Sequence, residues 1–414
     1  MAPASLHKGQ SLHRDHRPAL SSAVAGPQES TGAGLYLHVP FCRHRCGYCD
    51  FNTYAGRDEQ IPRYVAALRA DLARVAAGGP RAVAPHGSGV GPAWPLFTSV
   101  FVGGGTPTLL PPADLAGLLR LARGVLPVAA DAEVTVEANP ETVALDSLAV
   151  LAGAGVNRIS IGAQSFAPRV LAFLDRRHDP EAPLRAVEAA RAAGIGRVNL
   201  DLIYGAPAED DADWRYALDA AVGADVGHVS AYALTVEPDT PYAARIRAGV
   251  QAAPDEDVQA ARMALADERL AAAGLERYEI SHWARPRRRS RHNLTYWTGG
   301  DYLGLGAGAH GHWAGRRWWS LRSPPRYADA ALGGGRTVLG DEVLDAATRR
   351  TERLMLGLRL SDGVPRETVA PVDEDQARVL AAAGLLDDDG GRLRLTPRAR
   401  PLAGEVTARL ALRP

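Results

Sequence analysis

The chain predicts an α/β protein: a partial (β/α)6 barrel of the TIM type, followed by a small α+β module of winged-helix-like character. Two observations carry that expectation. Between residues 35 and 236, six short β-type runs alternate with amphipathic helical stretches, the rhythm of parallel strands joined by crossover helices. Six units fall short of the eight that close a full barrel, so the barrel is expected to be open. Beyond residue 325 the rhythm gives way to a helix and a hairpin.

The strands are expected at LYLHV (35–39), LFTSVFV (96–102), AEVTVEA (132–138), RISIGA (158–163), RVNLDLIY (197–204) and HVSAYALTV (228–236). Apolar residues recur at helical spacing in IPRYVAALRADLARVAAG (61–78) and PADLAGLLRLARGVL (112–126), which places crossover helices there. GGPRAVAPHGSGVGPAW (78–94) is rich in Gly and Pro and reads as a surface insertion. In the last part, TRRTERLMLGLRL (348–360) has helical apolar spacing, and AAAGLLDDDGGRLRLTPRAR (381–400) reads as a helix followed by a tight hairpin. Modules of this shape often bind DNA, but DDDGG at the hairpin tip would repel phosphates, and packing is the expected role.

Bulk composition narrows the function classes. Apolar residues make up 46% and charged residues 23% of the 414, as in an ordinary soluble globular protein. Basic and acidic residues balance at 47 each, leaving no overall field to draw nucleic acid or an anionic membrane. No apolar run approaches the roughly 20 residues needed to span a bilayer. Residues 1–33, which include MAPASLHKGQSLHRDHRP, lack the apolar core of a secretory signal and read as a disordered tail on a cytoplasmic protein. The expected division is a tail over 1–33, a core over 34–325 and a C-terminal module over 326–414.

All three cysteines lie in FCRHRCGYCDF (41–51). The odd count and the expected compartment argue against disulfides. Structural zinc wants four ligands, so His38 or His44 would have to be recruited. A cubane iron–sulfur cluster takes one thiolate per iron, and Cys42, Cys46 and Cys49 would leave one iron open to a small molecule. Other polar motifs fall at or near the carboxyl ends of the predicted strands, where barrel enzymes place their sites. GGGTPT (103–108) lets the backbone approach a ligand closely. VEANPE (136–141) offers Glu137 to ribose hydroxyls, and GAQSF (162–166) offers Gln164. NLDLIYGAP (199–207) carries Asp201 in an otherwise apolar strand, where an unpaired carboxylate would be costly.

In combination, YLHVPFCRHRCGYCDF, GGGTPT, VEANPE, GAQSF with LDRRH, DLIYGAP and HNLTYW resemble the oxygen-independent coproporphyrinogen III oxidase family. That family sits in the radical S-adenosylmethionine (SAM) superfamily, and the resemblance is to its HemW branch, whose members are regarded as heme chaperones. It runs from residue 34 to the C-terminus. It implies a [4Fe-4S] cluster on Cys42, Cys46 and Cys49, with SAM chelating the open iron and poised for cleavage to a 5′-deoxyadenosyl radical. It implies further that Tyr36, Tyr48, Gly104, Gly105, Thr106, Glu137, Gln164, Arg176, Asp201 and Ala233 line the SAM sites. The oxidases themselves carry another cysteine two residues after the third; here that position is Phe51. They also extend at the N-terminus with residues that handle porphyrinogen propionates, and the tail here has no counterpart. Both departures count against coproporphyrinogen III dehydrogenase activity, and no catalytic residue is singled out.

HNLTYW (292–297) is the other branch marker. His292 is the candidate heme-iron ligand, with Tyr296 and Trp297 to stack on the porphyrin; His310 and His312 are further candidates. The arginine-rich RPRRRSRH (285–292) reads as a solvated loop whose guanidinium groups also suit heme propionates. The expected function is that of a heme chaperone passing heme to an acceptor protein, with oxidative decarboxylation of coproporphyrinogen III as the competing reading. A different radical SAM enzyme acting on a tetrapyrrole is a third. The expected partners are heme and the acceptor, a membrane-associated one among the candidates, with a homodimer as a candidate assembly and no nucleic acid.

Overall fold

The computed structural model describes residues 32–83 and 93–411. The tail expected over 1–33 lies outside them except for its last two positions, as does the middle of the 78–94 insertion. Six parallel strands follow the chain in order across the main sheet: β1 (Ala33–Val39), β2 (Phe97–Gly104), β3 (Val128–Ala138), β4 (Arg158–Gln164), β5 (Arg197–Tyr204) and β6 (His228–Ala233). Sequential neighbours with no strand skipped make a barrel wall. The helices α1 (Ile61–Gly78), α2 (Pro112–Val125), α3 (Leu145–Gly153), α4 (Ala182–Ala192) and α5 (Asp211–Gly223) lie on its crossovers, and α6 (Glu256–Ala272) follows β6.

Alternation along each strand sorts the side chains. One set, including Leu35, Leu37, Val102, Val136, Ile159, Ile161 and Leu200, is buried in a continuous apolar core with the helices. The other set, including Tyr36, Glu137, Arg158, Ser160, Asn199 and Asp201, faces a cavity inside the wall. β6 is shorter than expected. After Ala233 the chain leaves the sheet, Thr235 Oγ1 bonds back to the Ala233 carbonyl, and Leu234 turns into an apolar cluster with Ile203 and Tyr242.

Further strands extend both edges. Beyond β6 come β7 (Glu276–Glu279) and β8 (His282–Ala284), antiparallel, with β8 next to the wall. A short helix, α7 (Arg291–Trp297), then leads to β9 (Tyr302–Leu305), a seventh parallel strand that pairs with the free side of β1. Antiparallel β10 (His310–Trp313), β11 (Arg316–Ser320) and β12 (Val338–Val343) complete a twelve-stranded sheet, with α8 (Pro324–Leu332) between the last two. The terminal strands β12 and β7 are not paired with each other, so the wall is open, as expected.

The main sheet thus continues past residue 325, to Val343. After it, α9 (Ala346–Gly357), α10 (Glu374–Ala382) and α11 (Ala403–Leu410) pack on a three-stranded sheet of β13 (Val364–Pro365), β14 (Leu386–Asp388) and β15 (Arg392–Leu395). This part has its own apolar core, with Leu354, Val364, Leu380, Leu393 and Val406 at its centre. The expected hairpin is present. Asp389 Oδ1 accepts the Gly391 and Arg392 N–H groups at 2.9 and 2.7 Å, so the acidic tip is itself the turn device.

Candidate cluster and cofactor site

The three thiols sit on the long loop between β1 and α1, and the wall holds that loop at several points. Phe41 and Cys42 pair in parallel with Tyr54 and Ala55, and the buried Phe41 ring meets Tyr64 edge-on at 5.2 Å. Gly47 donates its N–H to Asp175 Oδ2 at 3.1 Å, and its carbonyl accepts from the Tyr242 N–H at 2.8 Å. Arg245 bonds the same Asp175 oxygen at 3.1 Å. A Cβ at Gly47 would stand 2.3 Å from the Arg245 guanidinium and 2.4 Å from the Asp175 carboxylate, so a larger residue would push both ends aside. A loop after β4 and a short helix after β6 (Pro241–Arg247) therefore pin the middle of the thiol loop.

Cys42 is buried, Cys46 and Cys49 are half-buried, and none is in a disulfide. Thr106 Oγ1 lies 3.8 Å from the Cys42 sulfur, and Arg176 Nη1 lies 3.8 Å from the Cys46 sulfur. Burial pushes the Cys42 thiol up to about 11 and raises Cys49 as well, with neighbouring thiols adding to both. Iron ligation would reverse that preference, since a coordinating thiol is deprotonated outright. Among the described residues no three His, Cys, Asp or Glu side chains converge on a single-ion point. A cubane instead takes each thiolate on a separate iron, and three sulfurs from one pinned loop, with a hydroxyl and a guanidinium beside them, fit that group.

The glycine run at the end of β2 lies against this loop. The Gly105 and Thr106 N–H groups donate to the Val39 and Phe41 carbonyls at 2.8 and 2.7 Å. A Cβ on Gly105 would come within 2.5 Å of the Phe41 oxygen and 3.0 Å of the Cys42 sulfur. Gly104 has φ +115°, and its N–H donates to Glu137 Oε2 at 2.9 Å. The run is thus required by close approach, beyond making a turn. Burial raises the Glu137 carboxyl to about 7; the Gly104 amide opposes this and Asp201 adds to it.

The remaining expected SAM residues lie around the same rim. Gln164 ends β4 with φ +62°. Arg176 donates to Asn139 Oδ1 and the Gly162 carbonyl, both at 2.8 Å. Asp201 accepts from Ser160 Oγ and Asn199 Nδ2, both at 2.8 Å, so the expected cost of a lone carboxylate is met by hydrogen bonds. Tyr48 packs against the cluster of Val170, Leu174 and Ile203, and Ala233 ends β6. Tyr36 donates its hydroxyl to His38 Nδ1 at 2.9 Å, because His38 Nε2 is turned to the Asn52 carbonyl at 3.0 Å.

Inside the wall is a cavity of about 300 Å³. Glu137 and Asp201 border it toward the carboxyl ends of the strands, Tyr36 lies level with Arg158, and α7 lies across the amino ends. The His292 N–H donates to Glu133 Oε1 at 3.2 Å. Its ring nitrogens meet Ser99 Oγ at 2.9 Å and Tyr296 Oη at 2.8 Å. Burial lowers this imidazole to about 3, so it is neutral. His292 and Tyr296 therefore stand at the opposite end of the strands from the thiols, whereas His310 is a near neighbour of His38. His292 and Tyr296 border the cavity; Trp297 lies outside it, under the Arg359 guanidinium at 4.5 Å. His312 faces Asp301 at 3.2 Å, and Arg288 of the basic run donates to the Gly196 carbonyl at 3.2 Å.

Sequence reasoning missed Asp175, although LDRRH contains it, and Arg245, which no local motif marks, and it missed Arg158, Ser230, Tyr232 and His282 of the cavity. A signal for Arg158, Ser230 and Tyr232 was available. In RISIGA and HVSAY the polar residues alternate with apolar ones, which places them on the inner face.

Two family models match the chain: the radical SAM superfamily over residues 90–221 and the HemN C-terminal domain over residues 344–402. The chain is 46% identical over 387 residues to a protein of Mycobacterium tuberculosis named heme chaperone HemW, covering 93% of this chain and 96% of that protein. An Escherichia coli protein of the same name is 37% identical over 335 residues, covering 80% and 84%. Among solved structures, coproporphyrinogen III oxidase (HemN) of Escherichia coli superposes with a TM-score of 0.77 at 22% identity, covering 92% of this chain and 90% of that one, a likeness of fold.

Proposed function

This chain belongs to the HemW heme chaperone family, in the radical SAM superfamily, and we propose that it binds heme and passes it to an acceptor protein. The observation that carries this reading is a likeness to proteins of that name that spans both the barrel and the C-terminal module. In the proposed division, residues 34–325 form the cofactor core and 326–414 the module.

Cys42, Cys46 and Cys49 would hold a [4Fe-4S] cluster. When bound, the cluster supplies one-electron chemistry at an iron left open for SAM. The chain's own residues prepare that place. Arg176 sets a positive charge 3.8 Å from the Cys46 sulfur. Glu137, oriented by the Gly104 amide, would accept ribose hydroxyls, with Asp201 and Gln164 completing the polar rim. Tyr36, Tyr48, Gly105, Thr106 and Ala233 shape the space around them.

Heme contact through His292, Tyr296 and Trp297 would require His292 to release Ser99 or Tyr296, since both ring nitrogens are engaged. The oxidase reading rests on likeness of fold, and Phe51, 61% exposed, stands at the position where the family resemblance implies a cysteine in the oxidases. We place the protein in the cytoplasm, where free thiols persist; no helix among the described residues is long and apolar enough to cross a membrane. The acceptor, membrane-associated or not, and a homodimer belong to the same proposal.

The deciding experiment is anaerobic reconstitution with iron and sulfide, followed by heme titration with and without SAM. A saturable Soret band is expected, without protoporphyrinogen from coproporphyrinogen III in a parallel assay. No Soret change, or product above background, would overturn the chaperone reading.

A further inference from the structure

Three arginines are buried among the described residues: Arg158, Arg262 and Arg316. Arg262 donates to Glu209 Oε2 at 2.5 Å, and Arg316 is ion-paired with Asp341. Arg158 differs. It is 3% exposed, its guanidinium has neither an ion-pair nor a hydrogen-bond partner among the described residues, and it borders the cavity of about 300 Å³ inside the wall. A guanidinium cannot shed its proton, and a buried charge without a partner is costly. The natural partner is an anion in the cavity.

The cavity is polarised along the strands. Glu137 is the register partner of Ser160, and Arg158 lies two residues nearer the amino end of that same strand. Acid therefore borders the upper half and the free cation the lower half. Ser160 and Asn199 are committed to Asp201, which leaves Arg158 as the charged group in the lower half free to take a ligand. We propose that the lower half of the cavity is a carboxylate-binding site in which Arg158 receives the carboxylate. The volume is at the small end for ligand pockets. It suits a small carboxylate, or the carboxylate arm of a larger molecule held at the carboxyl ends of the strands. This site was reached without reference to heme and stands whether or not the chain carries it.

The test uses the full-length protein, with sodium propionate as probe and sodium chloride at equal ionic strength as control. Calorimetry should show saturable propionate binding, accompanied by a rise in melting temperature. Arg158→Gln should melt higher than the parent without propionate and lose at least about tenfold in propionate affinity, and Arg158→Lys should retain part of it. No saturable binding to the parent overturns the proposal, as does equal binding to Arg158→Gln. So does a Gln variant destabilised equally with and without propionate, which would make Arg158 a fixed counter-charge to Glu133, Glu137 and Asp201. If the Gln variant does not fold, the parent titration and the Lys variant decide. A second arm compares heme with heme dimethyl ester. Loss of heme affinity in Arg158→Gln, without loss for the ester, assigns the arm to a tetrapyrrole propionate. Equal loss or none assigns a free small carboxylate. Failure of heme to bind at all would retire the chaperone reading and leave the propionate result standing.

Discussion

Glu137 keeps its proton far above the ordinary carboxylate range, because burial raises it to about 7 against a usual 4.5. Between those two values the folded state holds a proton that the unfolded chain has lost. Stability contributed by this residue is therefore greatest at low pH, falls as pH rises through that window, and is level above it. His38 and His178, both lowered to about 4 by burial, work in the opposite direction, losing stability as pH falls below 6.5. Comparing Glu137→Gln with the parent cancels those histidines. The melting-temperature difference, variant minus parent, should grow from pH 4.5 to pH 7 and then hold steady; parallel profiles would show that the carboxyl titrates normally. The same variant should bind SAM more weakly if Glu137 receives the ribose. Cys46→Ser tests the neighbouring sulfur. Its close polar contacts are Arg176 at 3.8 Å and the Tyr48 hydroxyl, so unfolding free energy should change by no more than about 1 kcal/mol while iron and sulfide content falls. Unchanged iron in that variant would rule out the cluster assignment.

At the level of elements, the glycine run after β2 does more than its local pattern announces. Gly105→Ala would drive a methyl group against the Phe41 carbonyl and the Cys42 sulfur, moving the thiol loop while leaving β2 paired to β1 and β3. Far-UV circular dichroism should match the parent and cluster retention should drop; retention equal to the parent would mean the loop accommodates the methyl. The wall itself was largely legible. RVNLDLIY and IPRYVAALRADLARVAAG occupy β5 and α1 at the expected bounds, because long periodic runs fix both element type and face. β9 was not legible: YLGL is four residues between GGD and GAGAHG, and it becomes a strand because β1 offers it a free edge. The cysteine triad could be read because its chemistry is local in sequence. Arg158, His282 and the Asp175–Arg245 pin could not be recognised as members of one site, because residues from distant turns of the chain meet only when the wall curves.

Over the whole molecule, the C-terminal module is fastened to the edge strand β7, which would otherwise present open backbone groups. The Ser361 N–H and Oγ bond the Tyr278 and Arg277 carbonyls, each at 3.0 Å, and Glu279 bridges to Leu360. Asp267 on α6 joins the parts: its Oδ1 accepts from Arg277 Nε at 2.6 Å and Trp283 Nε1 at 3.0 Å, and its Oδ2 accepts from Arg400 at 2.8 Å. Arg359, at the foot of the module, covers Trp297, so α7 is held between the wall and α9. A movement of α7 that carries His292 away from Ser99 must therefore work against this fastening. Asp267→Ala removes all three bonds and leaves the largely enclosed Arg277 side chain without its carboxylate, which should cost about 2–4 kcal/mol. Denaturant unfolding of this variant should show the loss, and limited proteolysis should release the module from the barrel sooner than in the parent. If heme must reach His292 by loosening α7, the same variant should also bind heme faster; an unchanged association rate beside accelerated proteolysis would separate the fastening from heme entry.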